Sequence, residues 1–149
     1  MKKQSLRIFL MFGLIAILAP LSAHAQSSRE MTANIGFSFT IADKAFPAGE
    51  YSVTRLNAAS DKAALMIKSA DGRLSKIVLT VPVQAGRTQE SARLIFNRYG
   101  EQYFLSQVWT PADNTGLELS RSRAERSLAR NAGHIAPEQA TIALNSRRK

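Results

Sequence analysis

The chain contains no cysteine, which excludes disulfides, thiolate metal sites and cysteine nucleophiles together and leaves stability to packing. Histidine is nearly as scarce, with only His24 and His134. Serines are plentiful, but a serine–histidine triad would have to rest on His134, in a loop beside Gly133. A Ser–Lys pair stays open, with no serine singled out. Acids are few, 11 against 20 lysines and arginines, so the formal charge is +9. There is one tryptophan, Trp109, and no internal repeat or low-complexity block.

The one long apolar run lies at the start. Lys2, Lys3 and Arg7 precede an uncharged stretch from Ile8 to Leu21, followed by Ser22, Ala23, His24 and Ala25. This order of charge, apolar run and small residues is that of a secretory signal peptide cut after Ala25. The run contains Pro20 and falls short of the roughly 18 residues a retained membrane helix needs. Cleavage removes His24 and three basic residues, lowering the formal charge from +9 to +6 over the remaining 124 of 149 residues. That length suits one domain. With no cysteine after the cut there is no lipid attachment, so the processed chain is expected to be periplasmic or secreted and not membrane-spanning. Export also removes nucleic acid as a partner.

Downstream, period-two alternation predicts strands. They are Met31 to Ile41, Tyr51 to Leu56, Ala63 to Ser69, Leu74 to Val81, Arg93 to Tyr99 and Tyr103 to Thr110. Pro47-Ala48-Gly49 reads as the turn of a first hairpin. Asp71-Gly72 favours a tight turn placing Met66 opposite Ile77 and Leu65 opposite Val78. In that register both faces of the hairpin are apolar, which implies strands deep inside the fold or a different register. Gly100-Glu101 sets Phe96 against Leu105 and Arg98 against Tyr103. Gln84 to Ser91 and Ala112 to Gly116 read as loops.

The pattern then changes to a short helix. Ser122 and Glu125 have capping-box spacing, Ala124 and Leu128 share a face, Gly133 ends the helix and Pro137 stops it resuming. The expected organisation is a signal peptide at 1–25, a flexible segment at 26–32, an antiparallel β domain at 33–120, a basic helix at 121–133 and a tail at 134–149 with a short strand near Thr141 to Leu144. The fold class is mainly β: an antiparallel sandwich or small barrel with one short C-terminal helix. The strands are mostly shorter than the 9 to 11 residues of an outer-membrane barrel.

No residue set forms a catalytic or cofactor site. Asp43, Asp61, Asp71 and Asp113 stand in turn contexts, where aspartate bonds its own backbone. Asp113, Asn114 and Thr115 are too few for a calcium loop. Glu101, Asp113, Glu118 and Glu125 are the carboxylates available for acid–base work, at spacings that prove nothing. Arg123, Arg126 and Arg130 fall on one helix face, and Arg121 and Arg147-Arg148-Lys149 add to it. Such a face docks an anionic partner or, more commonly, is simply solvated. Tyr103 and Trp109, with Tyr99 and Phe104, crowd one hairpin; stacking on a ligand and plain core packing are the two uses, core being the simpler.

Two stretches are familiar: FSFTIADKAFPAGEY at Phe37 to Tyr51 and YGEQYFLSQVWTPADNTGLELSRSRAER at Tyr99 to Arg126. They resemble a family of small exported proteins of environmental bacteria, each a signal peptide plus one domain, without an established activity. The resemblance implies a β-rich fold and export and transfers no functional residue. The leading expectation is an exported, non-enzymatic binding domain without a cofactor, its partner an anionic cell-envelope component or another exported protein. The alternatives are a carrier holding an apolar molecule among Phe37, Phe39, Phe96, Leu105 and Trp109, and a carboxylate-dependent hydrolase.

Overall fold

The computed structural model describes residues 30–56, 63–131, 133 and 136–146. The expected signal peptide at 1–25, Gln26 to Arg29, Asp61, His134 and the basic end Arg147 to Lys149 lie outside the described residues. The strands are β1 (Met31–Ile35), β2 (Phe39–Ile41), β3 (Lys44–Phe46), β4 (Gly49–Arg55), β5 (Ala64–Ser69), β6 (Ser75–Gln84), β7 (Arg93–Tyr99), β8 (Gln102–Trp109), β9 (Thr115–Leu119), β10 (Glu138–Ala143) and β11 (Asn145–Ser146). Among the described residues a single helix, α1 (Arg123–Asn131), stands between β9 and β10.

The strands pair in the order β10-β7-β8-β9-β6-β5-β4-β1-β11. One of them, β6, changes sheets. The first half of β6, Ser75 to Leu79, pairs with β5, and its second half, Thr80 to Gln84, pairs with β9. At the crossing Thr80 donates both its N–H (3.0 Å) and its hydroxyl (2.7 Å) to the Ala63 carbonyl. Two residues on, the next donor to β5 would be Pro82, which has no N–H, so that ladder stops and the strand passes to β9. Leu144 plays the corresponding part between β10, which pairs with β7, and β11, which pairs with β1.

The core lies between the two sheets. Ala33, Ile35, Tyr51, Val53, Leu65, Ile67 and Val78 enter it from one side; Leu94, Phe96, Leu105, Val108, Leu117 and Leu119 enter from the other. The period-two alternation seen in the sequence is thus the inward set of most strands, whereas β6 turns its alternating Ile77, Leu79 and Val81 outward.

The expected mainly-β class with a short helix near the C-terminus is correct, with several corrections of detail. The stretch from Met31 to Ile41 is two strands: β1 pairs with β4, while β2 forms a hairpin with β3 and lies parallel to β8. The sheet is therefore mixed. Alternation runs on through Gly36-Phe37-Ser38 because both strands bury the same parity of residue, which hides the change of sheet. The paired path is open at β10 and β11, so no closed barrel forms. Met31 packs inward opposite Val53, so the domain starts inside the segment expected to be flexible. The expected tail supplies all of β10, six residues paired along β7. β9, whose first two residues Thr115 and Gly116 were expected in a loop and whose last three had no predicted element, bridges β6 and β8.

Both predicted hairpin registers are found: Met66 opposite Ile77 and Leu65 opposite Val78, then Phe96 opposite Leu105 and Arg98 opposite Tyr103. Yet the first hairpin is not deeply buried. Val78 and Thr80 face the core, while Ile77, Leu79 and Val81 stand in solvent.

Candidate functional site

The helix α1 begins with Ser122, whose Oγ accepts the Glu125 N–H at 3.1 Å, and Arg126 N–H reaches the Ser122 carbonyl at 3.0 Å. Gly133, with φ of 66°, donates to the Arg130 carbonyl and closes the far end. Residues 123–131 are helical, within the 121–133 expected.

The packed face differs from the expected one. Ala124 is exposed, and the buried residue of the helix is Glu125 at 3 % exposure, with Leu128 and Ala129 half-buried beside it. The expected capping box of Ser122 and Glu125 is present, and Glu125 does more than cap. Its carboxylate lies against the Ser122 backbone N–H and also accepts the Nδ2–H of buried Asn97 on β7 at 2.7 Å, with Arg121 Nε 3.8 Å away. Burial raises the Glu125 pKa, against the lowering pull of the Asn97 amide, the Arg121 charge and the Ser122 backbone N–H. Tyr99 stands close by, its hydroxyl shielded from solvent and without a hydrogen-bond partner among the described residues. Burial first, then the Glu125 charge, raises its pKa, with Arg121 opposing.

Turning Glu125 inward leaves the outer surface of α1 without an acid. Arg123, Arg126 and Arg130 are exposed, and among the described residues none has an ion-pair partner. Arg126 donates to the Arg121 carbonyl at 2.9 Å, which leans that arginine along the helix start. Beside the C-terminal half of α1 lies a cleft of about 480 Å³, bordered by Leu128, Tyr99, Pro137 and Glu138.

The aromatic candidates sit at opposite ends of β8 and are both occupied. Tyr103 stacks on Phe37 at 4.0 Å between ring centres and carries the Arg98 guanidinium 5.6 Å from its own. Trp109 is 4 % exposed, its Nε1–H bonded to Gln107 Oε1 at 3.0 Å. Its indole lies across Gly116 so closely that a Cβ there would sit 2.7 Å from the ring carbons. Gly116→Ala therefore destabilises the domain by about 2 kcal/mol, and the penalty shrinks in a Trp109→Ala background; urea unfolding of the double-mutant cycle measures both.

The carboxylates are spread over separate elements. Glu101 pairs with Arg98 at 3.2 Å in a turn, Asp113 accepts the Thr115 N–H at 2.9 Å in a loop, Glu118 lies on β9 and Glu125 on α1. Among the described residues no group of three or more His, Asp or Glu is placed to hold a metal ion, and no helix is long and apolar enough to cross a membrane. Phe39, Phe96, Leu105 and Trp109, expected to line a carrier interior, are buried in packing contacts. Sequence reasoning missed Asn97, and it named Tyr99 in the aromatic hairpin without placing it beside Glu125. The Asn97 signal was slight: a polar residue in the run Leu94-Ile95-Phe96-Asn97, on the parity opposite Phe96.

No protein-family model, curated protein or solved structure matches this chain.

Proposed function

We propose that this is an exported, non-enzymatic binding domain that docks an anionic component of the cell envelope on the arginine face of α1. The observation that carries this reading is the direction of Glu125: the helix's one carboxylate is spent on Asn97, so its outer face carries no acid and its three arginines have no ion-pair partner among the described residues. A merely solvated helix gains from exposed acids interleaved with its bases. Here the like charges Arg126 and Arg130, four residues apart, repel without relief, at a cost of a few tenths of a kcal/mol. A partner bearing phosphates or carboxylates offsets that cost and gains about 1 kcal/mol per cation near its surface.

Cosedimentation with phosphatidylglycerol vesicles or isolated cell-wall fragments, against phosphatidylcholine vesicles as control, tests the reading. The native chain binds the anionic material and is released by salt. Changing Arg123, Arg126 and Arg130 together to Gln weakens binding between about tenfold and a hundredfold. Binding unchanged by the triple substitution contradicts the assignment.

A further inference from the structure

The exposed apolar face of β6 has no role in the arginine reading. All four large hydrophobic side chains exposed among the described residues gather there: Leu56 (41 %), Ile77 (57 %), Leu79 (72 %) and Val81 (53 %). They are contiguous. Ile77 lies opposite Met66 and Leu79 opposite Ala64, whose carbonyl accepts the Leu56 N–H at 2.8 Å. The helix does not serve this face, because Glu125 ties α1 to Asn97 on β7, three strands away from β6 in the pairing order. A contiguous apolar face of this kind on a folded domain marks an interaction surface.

Its ends identify the occupant. At the Ser75 end stands exposed Lys68, paired across with Ser75; at the Val81 end stands Glu118, paired across with Val81. Neither has an ion-pair partner among the described residues. The face therefore runs from a cation through apolar residues to an anion along roughly 20 Å of strand. Such a pattern is complementary to itself reversed. A two-fold axis lying in the interface, roughly at right angles to β6, places each Lys68 toward the other copy's Glu118 while Ile77, Leu79 and Val81 pack against their counterparts.

We propose that the outer face of β6 is a self-association surface whose occupant is a second copy of this chain. The pairing is isologous and antiparallel, held by apolar packing at its centre and by two Lys68–Glu118 pairs at its ends. A purely apolar partner would leave both charges unmatched, and a uniformly charged one would match only one end.

Sedimentation velocity of the chain without residues 1–25, run from low-micromolar to millimolar concentration, tests this independently of any anionic ligand. The expected result is a reversible monomer–dimer equilibrium. Leu79→Glu, at a solvent-exposed site, leaves the circular dichroism and unfolding midpoint unchanged and weakens the dimer by about tenfold or more. Lys68→Glu and Glu118→Lys each weaken it, and the double exchange restores it. A monomer at every concentration overturns the proposal and leaves the face to a different protein. A dimer indifferent to Leu79→Glu, or a double exchange that fails to restore pairing, overturns it as well.

Discussion

Phe96→Ala is expected to cost about 3–5 kcal/mol of unfolding free energy, much of what a domain of this size possesses. Phe96 is fully buried on β7 opposite Leu105. Its ring meets Phe37 edge-on at 5.2 Å and Phe39 at 5.4 Å. Phe39 in turn contacts Phe46 and Tyr51, so one aromatic cluster joins the β2–β3 hairpin to both sheets. Truncation opens a cavity where several elements meet, and rigid rings close it poorly. Phe96→Leu costs less because it retains most of the volume. Urea unfolding measures both, and a loss below about 1 kcal/mol for Phe96→Ala contradicts a tightly packed core. The functional link is one residue away: Phe96 points inward and Asn97 outward, so the strand the core fixes is the strand that holds α1.

Glu125→Ala is expected to cost about 3 kcal/mol, since it removes a charged acceptor and leaves the buried Asn97 amide unmatched. Glu125→Gln behaves differently. It retains an acceptor for Asn97 and removes a charge that burial disfavours, so its stability at neutral pH matches or exceeds the native chain. The pH dependence follows from the raised pKa of Glu125. The folded chain binds this proton more tightly than the unfolded chain. That contribution is fully present below the ordinary carboxylate range and is lost as pH rises through the raised folded value. Because Gln does not titrate, the stability difference in its favour opens as pH climbs from mildly acid toward neutral. Urea midpoints of the two chains over that range measure it. A difference that opens toward acid instead would mean that Asn97 and Arg121 outweigh burial.

Much of the fold was legible because the inward positions alternate and the turns carry their own residues. Gly72 and Gly100 have φ of 73° and 61°, and the two hairpins they serve have the predicted registers. What escaped was non-local. Alternation cannot tell a strand that continues from one that changes sheets at Gly36 to Ser38. It also cannot tell a strand buried on both faces from β6, with one apolar face left in solvent. At the helix, the capping spacing of Ser122 and Glu125 was visible, but the choice of Glu125 over Ala124 as the packed residue depends on Asn97, 28 positions away. The three arginines were legible as a face. Their lack of an acidic counterpart became visible only once Glu125 was placed.

The central claim is that α1, stripped of its acid by Asn97, is the surface that meets an anionic partner. Amide-resolved NMR during titration with a soluble short-chain anionic phospholipid tests it most directly. The account predicts shifts concentrated at Arg121 to Asn131 that fade as salt is raised, with the loop from Gln84 to Ser91 unmoved. Shifts confined to other surfaces, with α1 silent, contradict it.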